Sequence, residues 1–139
     1  MVFGLGNPGE RYADTRHNAG FLAVDALAAR VGASFRRKLF HSYLIGKGFH
    51  AGKPFHLVKP QSFMNSSGRV VADVLRETEH SAPEMLVVCD SLDLPPGTCR
   101  LRLRGSAGGQ KGLQDIIRVL GTDDFMRITI GIGRPVHRG

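Results

Sequence analysis

The sequence predicts an α/β fold: a single three-layer domain over residues 1–139, in which a mixed and mostly parallel sheet carries helices on both faces. The first observation is that short apolar segments alternate along the chain with segments whose apolar residues recur at helical spacing. The second is the length of 139 residues, which suits one domain and is interrupted by no repeat, low-complexity tract or linker.

The beginning of the chain predicts a strand and a helix joined by a polar loop. Val2 to Leu5 is a short apolar run typical of a buried strand. The loop after this strand is rich in glycine and amide side chains. A helix is predicted after the loop, and Gly32 is a suitable C-cap for it. The apolar residues before Gly32 follow helical spacing: Phe21, Val24, Leu27, Ala28 and Val31.

A hairpin and a second helix are predicted next. Residues 40–47 and 55–59 predict the two strands of the hairpin, with the turn between Gly48 and Pro54. A polar loop then opens a helix. Its possible N-caps are Asn65, Ser66 and Ser67. Its buried stripe consists of Val70, Val71, Val74 and Leu75.

The second half of the chain predicts three strands and one helix. Met85 to Cys89 is continuously apolar, as expected of a covered central strand, and ends at Asp90. Residues 98–104 alternate, with arginines on one face and apolar side chains on the other. After a glycine-rich loop, the last helix carries Leu113, Ile116, Ile117 and Leu120. The final strand carries Ile128, Ile130 and Ile132.

Three polar side chains follow predicted strands and form the first candidate site. Asn7 follows the first strand, Asn65 follows the return strand of the hairpin, and Asp90 ends the central strand. Because the carboxyl ends of parallel strands share one edge of a sheet, these side chains could meet in one crevice.

Composition narrows the class of protein. The formal charge of +7 favours an anionic partner, with nucleic acid as the leading candidate, although a net charge can also serve solubility alone. No apolar run approaches the length of a membrane span, and we expect no secretion signal. Cys89 and Cys99 lack a metal-binding or redox spacing, so we expect reduced core thiols in a cytoplasmic protein.

Two glycine-rich segments resemble nucleotide-binding motifs only in part. The segment from Gly4 to Gly9 satisfies GxGxxG, but no helix opens at its third glycine, so a dinucleotide site is disfavoured. In GSAGGQKG, Lys111 is followed by Gly112 and not by the Ser or Thr that a metal–triphosphate site requires. This second segment predicts either a turn that lets a substrate come close or a plain structural turn.

His17 is the candidate general base among the six histidines. No pair of histidines has metal-ligand spacing on a common element, so no metal is expected. His17 differs from the others because it lies in the loop that also holds Asn7 and Tyr12. An aspartate such as Asp90 could fix its tautomer and leave the other ring nitrogen free to accept a proton from water. Asparagine amides could hold a carbonyl or a developing oxyanion.

The arginines of the alternating segment, Arg100, Arg102 and Arg104, could bind phosphates. The alternative is a charged edge strand that resists aggregation. The glycine-rich loop directly after them favours binding.

Together, four blocks of sequence resemble the bacterial-type peptidyl-tRNA hydrolases. They are GLGNPGERYADTRHNAG (4–20), KPQSFMNSSG (59–68), VCDSLDLPPGTCRLRLRGSAGG (88–109) and RITIGIGRP (127–135). The resemblance implies an enzyme that hydrolyses the ester between a peptide and the terminal ribose of tRNA. It also implies a monomeric cytoplasmic protein without metal or cofactor, whose partner is peptidyl-tRNA and not a membrane.

The resemblance also assigns roles to residues by position. His17 matches the family's catalytic histidine and Asp90 the acid that orients it, while Asn7 and Asn65 match asparagines that hold substrate and water. The remaining matches are to cleft residues and phosphate-binding residues: Tyr12, Met64, Arg100 and Arg102.

The chain departs from the family pattern at several positions. Where the family usually reads GGHNGL, this chain reads GGQKGL, so Lys111 replaces an asparagine that contacts substrate. Thr129 stands where many members have an arginine. Lysine supplies a point charge, whereas the asparagine that it replaces offers a hydrogen-bond donor and an acceptor side by side.

We also expect the family's C-terminal lid and helices to be absent from residues 1–139. An RNA-binding relative without hydrolytic activity, similar to a chloroplast intron-splicing factor, is therefore the alternative.

Overall fold

Seven strands form one mixed sheet in the part of the chain that the computed structural model describes, residues 1–9, 15 and 18–134. The strands are β1 (Val2–Gly4), β2 (Arg36–Arg37), β3 (Tyr43–His50), β4 (Lys53–Pro60), β5 (Leu86–Ser91), β6 (Cys99–Arg102) and β7 (Met126–Gly131). The helices are α1 (Ala19–Val31), α2 (Ser67–Glu77) and α3 (Lys111–Leu120), with 3₁₀ turns at Met64–Ser66 and Ala82–Glu84.

The strands lie in the order β2-β3-β4-β1-β5-β7-β6. The four central strands, β4, β1, β5 and β7, are mutually parallel, and the pairs toward both edges are antiparallel. The predicted α/β class with a mixed sheet is confirmed. Because the central strands are parallel, their carboxyl ends meet at one edge of the sheet, which is where such folds bind ligands.

Helices cover both faces of the sheet and make three layers. α2 and α3 pack on one face, where Phe3 of β1 and Val58 of β4 belong to the larger core cluster. α1 packs on the other face, where Leu57 of β4 contacts Val24 and other residues of the helix. Adjacent strand residues thus point into opposite cores, as the pleat requires.

α1 approaches β1 through a contact between two glycines. A Cβ built on Gly4 would lie 2.5 Å from the carbonyl oxygen of Gly20, and one built on Gly20 would lie 2.5 Å from the carbonyl oxygen of Leu5. Such short distances leave no room for a side chain. The beginning of α1 therefore lies against the backbone at the carboxyl end of β1.

The hairpin differs from its prediction. β3 and β4 pair from Tyr43 with Pro60 to His50 with Lys53, so the turn is only Ala51 and Gly52 and not residues 48–54. Both turn residues have positive φ, of 51° and 77°, as a type I′ hairpin turn requires. Gly48 and Pro54 suggested a longer turn because each usually interrupts a strand, yet here both belong to the ladder.

Cys99 is exposed, so the prediction that both cysteines are core thiols is wrong for this residue. β6 is the edge strand beside β7, and all four of its residues are exposed. Cys89 is buried in the centre of β5, and burial raises the pKa of its thiol to about 12. Both thiols are free.

The N-cap of α2 is one of the three predicted residues, but the helix start is capped by a group from elsewhere in the chain. Ser66 occupies the N-cap, but its side chain makes no capping hydrogen bond. Instead, the Asp115 carboxylate of α3 accepts a hydrogen bond from the backbone N–H of Gly68 at 2.7 Å. A carboxylate at a helix N-terminus satisfies a free N–H and opposes the helix dipole. The cap comes from another element, which the local sequence does not reveal.

Candidate active site

A cleft of about 960 Å³ lies at the edge of the sheet where the central strands end. It collects every predicted site residue that the structure describes: Asn7, Met64, Asn65, Asp90, Arg100, Arg102 and Lys111. His17 and Tyr12 lie outside the described residues. Arg104, the third arginine of the predicted basic face, does not line the cleft and instead pairs with Asp123 at 3.1 Å.

Asn7 is held by a second asparagine, Asn18. The backbone N–H of Asn7 donates to Asn18 Oδ1 at 2.8 Å, and Asn18 Nδ2 donates to the carbonyl oxygen of Asn7 at 3.0 Å. Asn18 is only 2% exposed and stands immediately before α1, so its position is fixed by the packing of that helix on β1. The two bonds fix the backbone of the loop at Asn7.

The side chain of Asn7 has a defined orientation. Its Oδ1 accepts a hydrogen bond from the backbone N–H of Met64 at 2.7 Å. Since a backbone N–H can only donate, the oxygen must face Met64. The amide NH2 is then on the other side, where no hydrogen bond to a described residue uses it, and Asn7 lines the cleft. Asn7 therefore links the β1 and β4 loops, and its NH2 group makes no hydrogen bond to the part of the chain that the structure describes.

Asn65 reaches the cleft from the 3₁₀ turn between β4 and α2. Its side chain is exposed. The turn is stabilised by the buried Ser67, whose Oγ donates to the carbonyl oxygen of Met64 at 2.7 Å. An amide on this turn is accessible to a ligand in the cleft.

Asp90 is a buried carboxylate near the end of β5, with 5% of its surface exposed. Its Oδ1 accepts a hydrogen bond from Gln110 Nε2 at 3.1 Å. A buried carboxylate needs hydrogen-bond donors to offset the removal of its hydration. Gln110, the N-cap of α3, supplies one and lines the cleft beside it.

Arg100, Arg102 and Lys111 form a basic part of the cleft lining, called the basic wall below. Arg100 and Arg102 lie exposed on β6, and neither makes an ion pair with a described residue. They pair across the ladder with Thr129 and Arg127 of β7. Lys111 adds a further exposed cation at the first position of α3. The described lining thus contains five basic side chains and two acidic ones, which favours an anionic ligand.

Arg127 is buried, and its guanidinium holds the glycine-rich loop in place. It donates to the carbonyl oxygens of Gly105 at 2.6 Å and Asp123 at 2.7 Å, with longer bonds to Ser106 and Phe125. Its guanidinium carbon lies 4.2 Å from the ring centroid of Phe125. Burial lowers the pKa of Arg127 from its usual value. The group stays charged at physiological pH because an arginine pKa is normally above about 12.

Asn18, Gln110 and Arg127 were not among the predicted site residues. Asn18 stands in a block already recognised as functional, so its position was a usable signal. Glutamine is not a preferred N-cap, and nothing near Gln110 in the sequence indicates its bond to Asp90. Arg127 lies in a strand pattern whose alternation does not reveal a buried cation.

The described residues contain no group of three His, Cys, Asp or Glu side chains that could hold a metal ion. No described helix is both long and apolar enough to span a membrane.

An α/β sheet whose carboxyl edge combines a buried carboxylate, side-chain amides and a basic wall defines a class of proteins suited to chemistry on an anionic substrate. The family model described as peptidyl-tRNA hydrolase matches residues 1–139, and the chain belongs to this family. This confirms the resemblance stated from the sequence blocks.

Among the relatives, the peptidyl-tRNA hydrolase of Brevibacillus brevis is 47% identical over 135 residues, which cover 97% of this chain and 71% of the relative. The peptidyl-tRNA hydrolase of Aquifex aeolicus is 48% identical over 137 residues, which cover 97% and 70%. The crystal structure of peptidyl-tRNA hydrolase from Acinetobacter baumannii superposes with a TM-score of 0.92 at 37% identity, over 99% of this chain and 69% of that one.

Proposed function

We propose that this chain hydrolyses the ester bond between a peptide and the 3′-terminal ribose of tRNA, with His17 as the general base. Family membership makes the chain an enzyme of the peptidyl-tRNA hydrolase type. The observation that carries the residue assignment is the meeting of Asn7, Asn65 and Asp90 in one cleft at the carboxyl edge of the sheet.

The reaction follows from the chemistry of these groups. His17 accepts a proton from water, and the water oxygen attacks the ester carbonyl carbon. Asp90 orients the imidazole and stabilises its protonated form. The available NH2 of Asn7 and the exposed amide of Asn65 donate to the ester oxygen as it becomes an oxyanion. The carbon–ribose oxygen bond then breaks, the imidazolium returns its proton to that oxygen, and a peptide acid and tRNA leave.

The basic wall suits the phosphates of the tRNA. Arg100 and Arg102 are exposed and unpaired within the described residues, so they can neutralise phosphates without breaking an internal ion pair. Lys111 lines the same cleft next to Gln110, the partner of Asp90, where it adds charge close to the reacting ester. Tyr12 and Met64 complete the proposed substrate-binding residues.

Replacing His17 tests the proposed base. Because general-base catalysis contributes about 10²–10⁴-fold, we expect His17→Ala to reduce kcat for peptide release from peptidyl-tRNA by at least about 10²-fold. Binding of uncharged tRNA, measured by filter retention, should remain within about threefold, because the basic wall is unchanged. A variant that releases peptide at the parental rate would show that another group activates the water.

The alternative of an RNA-binding relative without hydrolysis has no support among the relatives named above. Lys111, Thr129 and the expected absence of the lid and C-terminal helices prompted it, and Lys111→Asn tests the first of these. If the parent releases peptide and the variant changes kcat only modestly, lysine is compatible with the reaction. If only the variant releases peptide, the parent is a binding protein. A monomeric state, a cytoplasmic location and a single domain without a lid stay predictions.

A further inference from the structure

Gln110 connects three parts of the cleft through one amide. Its Oε1 accepts a hydrogen bond from the backbone N–H of Leu113 at 2.8 Å, which caps α3. Its Nε2 donates to Asp90 Oδ1 at 3.1 Å and lies 3.3 Å from the sulfur of Met64. The side chain therefore joins the start of a helix to the buried carboxylate and to the turn that carries Asn65.

The roles of the two ends of this amide are fixed by its partners. The backbone N–H of Leu113 can only donate, so the Gln110 oxygen must face it. An ionised carboxylate and a thioether can only accept, so the NH2 group must face Asp90 and Met64. A Cβ added to Gly112 would lie 2.7 Å from the Met64 sulfur and 3.0 Å from Gln110 Oε1, so Met64 and the amide also pack closely on the helix.

We propose that Gln110 is a positioning residue of the active site, which fixes the orientation of the Asp90 carboxylate from the N-terminus of α3. This inference rests on the proposed function and deepens it. A neutral amide can donate to the carboxylate over the whole working pH range, because it neither titrates nor adds a charge of its own. The helix cap prevents the amide from rotating, so the donor stays aimed at Asp90.

Gln110→Glu separates positioning from capping. A glutamate oxygen can still accept from Leu113, and an anion is favourable at a helix N-terminus, so α3 should remain intact. The donor to Asp90 is removed, and a second carboxylate stands close to the first. Two carboxylates that share a site titrate as a coupled pair with one pKa raised, and the added negative charge also raises the pKa of a nearby imidazole.

The measurement is the pH profile of kcat/KM for peptide release from peptidyl-tRNA. For Gln110→Glu we expect the acidic limb to move to higher pH by at least about one unit, with a thermal midpoint close to that of the parent. The matched control is Gln114→Glu, which adds the same charge at an exposed position one turn further along α3. Its acidic limb should stay within about 0.3 pH unit of the parental one.

The other described charges of the cleft are the same in variant and control: Asp93, Arg100, Arg102, Lys111, Arg127 and Arg134. They shift both profiles equally, so the difference between Gln110→Glu and Gln114→Glu isolates the contact with Asp90.

A second variant covers the case in which Gln110→Glu does not fold. Gln110→Met keeps the length of the side chain but removes both the cap and the donor. We expect kcat to fall at least about tenfold with KM for peptidyl-tRNA changed less than about threefold, because a positioning role acts on the reaction and not on tRNA binding. A fall in thermal stability with unchanged kcat would reduce Gln110 to a helix cap and overturn the inference.

The outcomes separate this inference from the proposed function. If His17→Ala is inactive and Gln110→Glu keeps the parental pH profile, the positioning role alone is wrong. If His17→Ala remains fully active, the proposed base is wrong, whatever Gln110 does.

Discussion

Asn7 and Asn18 are chemically identical residues with different tasks in the same loop. Asn18 is buried and uses both ends of its amide on the backbone of Asn7. Within the described residues, the Asn7 side chain uses only its oxygen, on Met64, and the residue lines the cleft. Asn18 supports the loop, and Asn7 is the asparagine proposed to contact substrate.

Asn7→Asp should abolish the donor while keeping the link to Met64. An aspartate oxygen can still accept from the Met64 N–H, but a carboxylate cannot donate to an oxyanion. We expect kcat to fall by about 10²–10³-fold with little change in the thermal midpoint. Steady-state kinetics and thermal melting test this, and a kcat close to that of the parent would exclude Asn7 as an oxyanion donor.

Asn18→Ala should act on stability. It leaves the N–H and the carbonyl of Asn7 without partners in a part-buried region, and an unsatisfied buried group costs about 1–3 kcal/mol. Urea unfolding should show a decrease of about 1–3 kcal/mol in the free energy of unfolding. The control is Asn65→Ala, an exposed change that should cost less than about 0.5 kcal/mol. Equal effects of the two variants would contradict the assignment of Asn18.

The candidate site was predictable where a residue follows a strand. Asn7 and Asp90 were found because parallel strands bring their carboxyl ends together, an argument that needs only the strand positions. The bond between Gln110 and Asp90 joins residues 20 positions apart, at the N-cap of α3 and on β5. Such a bond depends on how a helix docks on the sheet, and local patterns carry no information about docking.

At the scale of elements, the segment before β3 is tied to the end of α2 through one carboxylate. Glu77 accepts hydrogen bonds from the Tyr43 hydroxyl at 2.6 Å and Lys38 Nζ at 3.3 Å, and His41 Nε2 lies 2.8 Å away. The Tyr43 hydrogen bond, followed by those of His41 and Lys38, lowers the pKa of Glu77 to about 2. Burial and Glu77 together raise the pKa of Tyr43.

The free energy of unfolding of Glu77→Gln should therefore fall less than that of the parent when the pH is lowered. A carboxyl whose pKa is lowered on folding stabilises the protein above its unfolded pKa of 4.5, and this contribution disappears as pH falls from 4.5 toward 2. Because 27% of the Glu77 side chain is exposed, solvent screening limits the effect to about 1 kcal/mol or less. Urea unfolding at about pH 6 and about pH 3, on either side of the unfolded pKa, measures it.

The matched control for this prediction is Glu79→Gln, two residues further along and exposed. It should keep the acid dependence of the parent. If the stability of Glu77→Gln falls between the two pH values as steeply as that of the parent, the Tyr43–Glu77 contact is not maintained in solution.

Element types were predicted more reliably than their ends. The buried stripe of α2 is as predicted, with Val71 and Val74 fully buried, because its helical spacing is a property of the sequence alone. The hairpin turn was placed too broadly, since a glycine inside a strand resembles a breaker until its neighbours are known. In the structure, a Cβ on Gly48 would lie 2.7 Å from the Val31 side chain.

At the scale of the whole molecule, the net charge of +7 predicts an anionic partner but not the surface that meets it. The sheet order separates the two arginine pairs, because β6 and β2 lie at opposite ends of the sheet. Arg100 and Arg102 on β6 line the cleft, whereas Arg36 and Arg37 on β2 are exposed elsewhere. We therefore expect only the first pair to contribute to tRNA binding.

Arg102→Ala should lower the salt dependence of tRNA binding. The slope of log K against log salt should decrease in magnitude by about 0.7–0.9 for each phosphate that the protein no longer neutralises. Filter binding across a series of salt concentrations measures the slope. Arg36→Ala removes an identical charge at the other end of the sheet and should leave the slope unchanged. Identical slopes for Arg102→Ala and the parent would show that Arg102 neutralises no phosphate and that β6 is only a charged, solvent-exposed edge strand.

The contact between Gly4 and Gly20 restricts how this region can vary. Neither position accepts a methyl group unless α1 moves away from β1 and, for Gly20, also from Val88 of β5, and that movement would carry Asn18 away from Asn7. A single codon change at either site thus disturbs the fold and the chemistry together. Evolutionary adjustment of specificity is left to exposed residues of the cleft lining, such as Lys111, which can be exchanged one at a time.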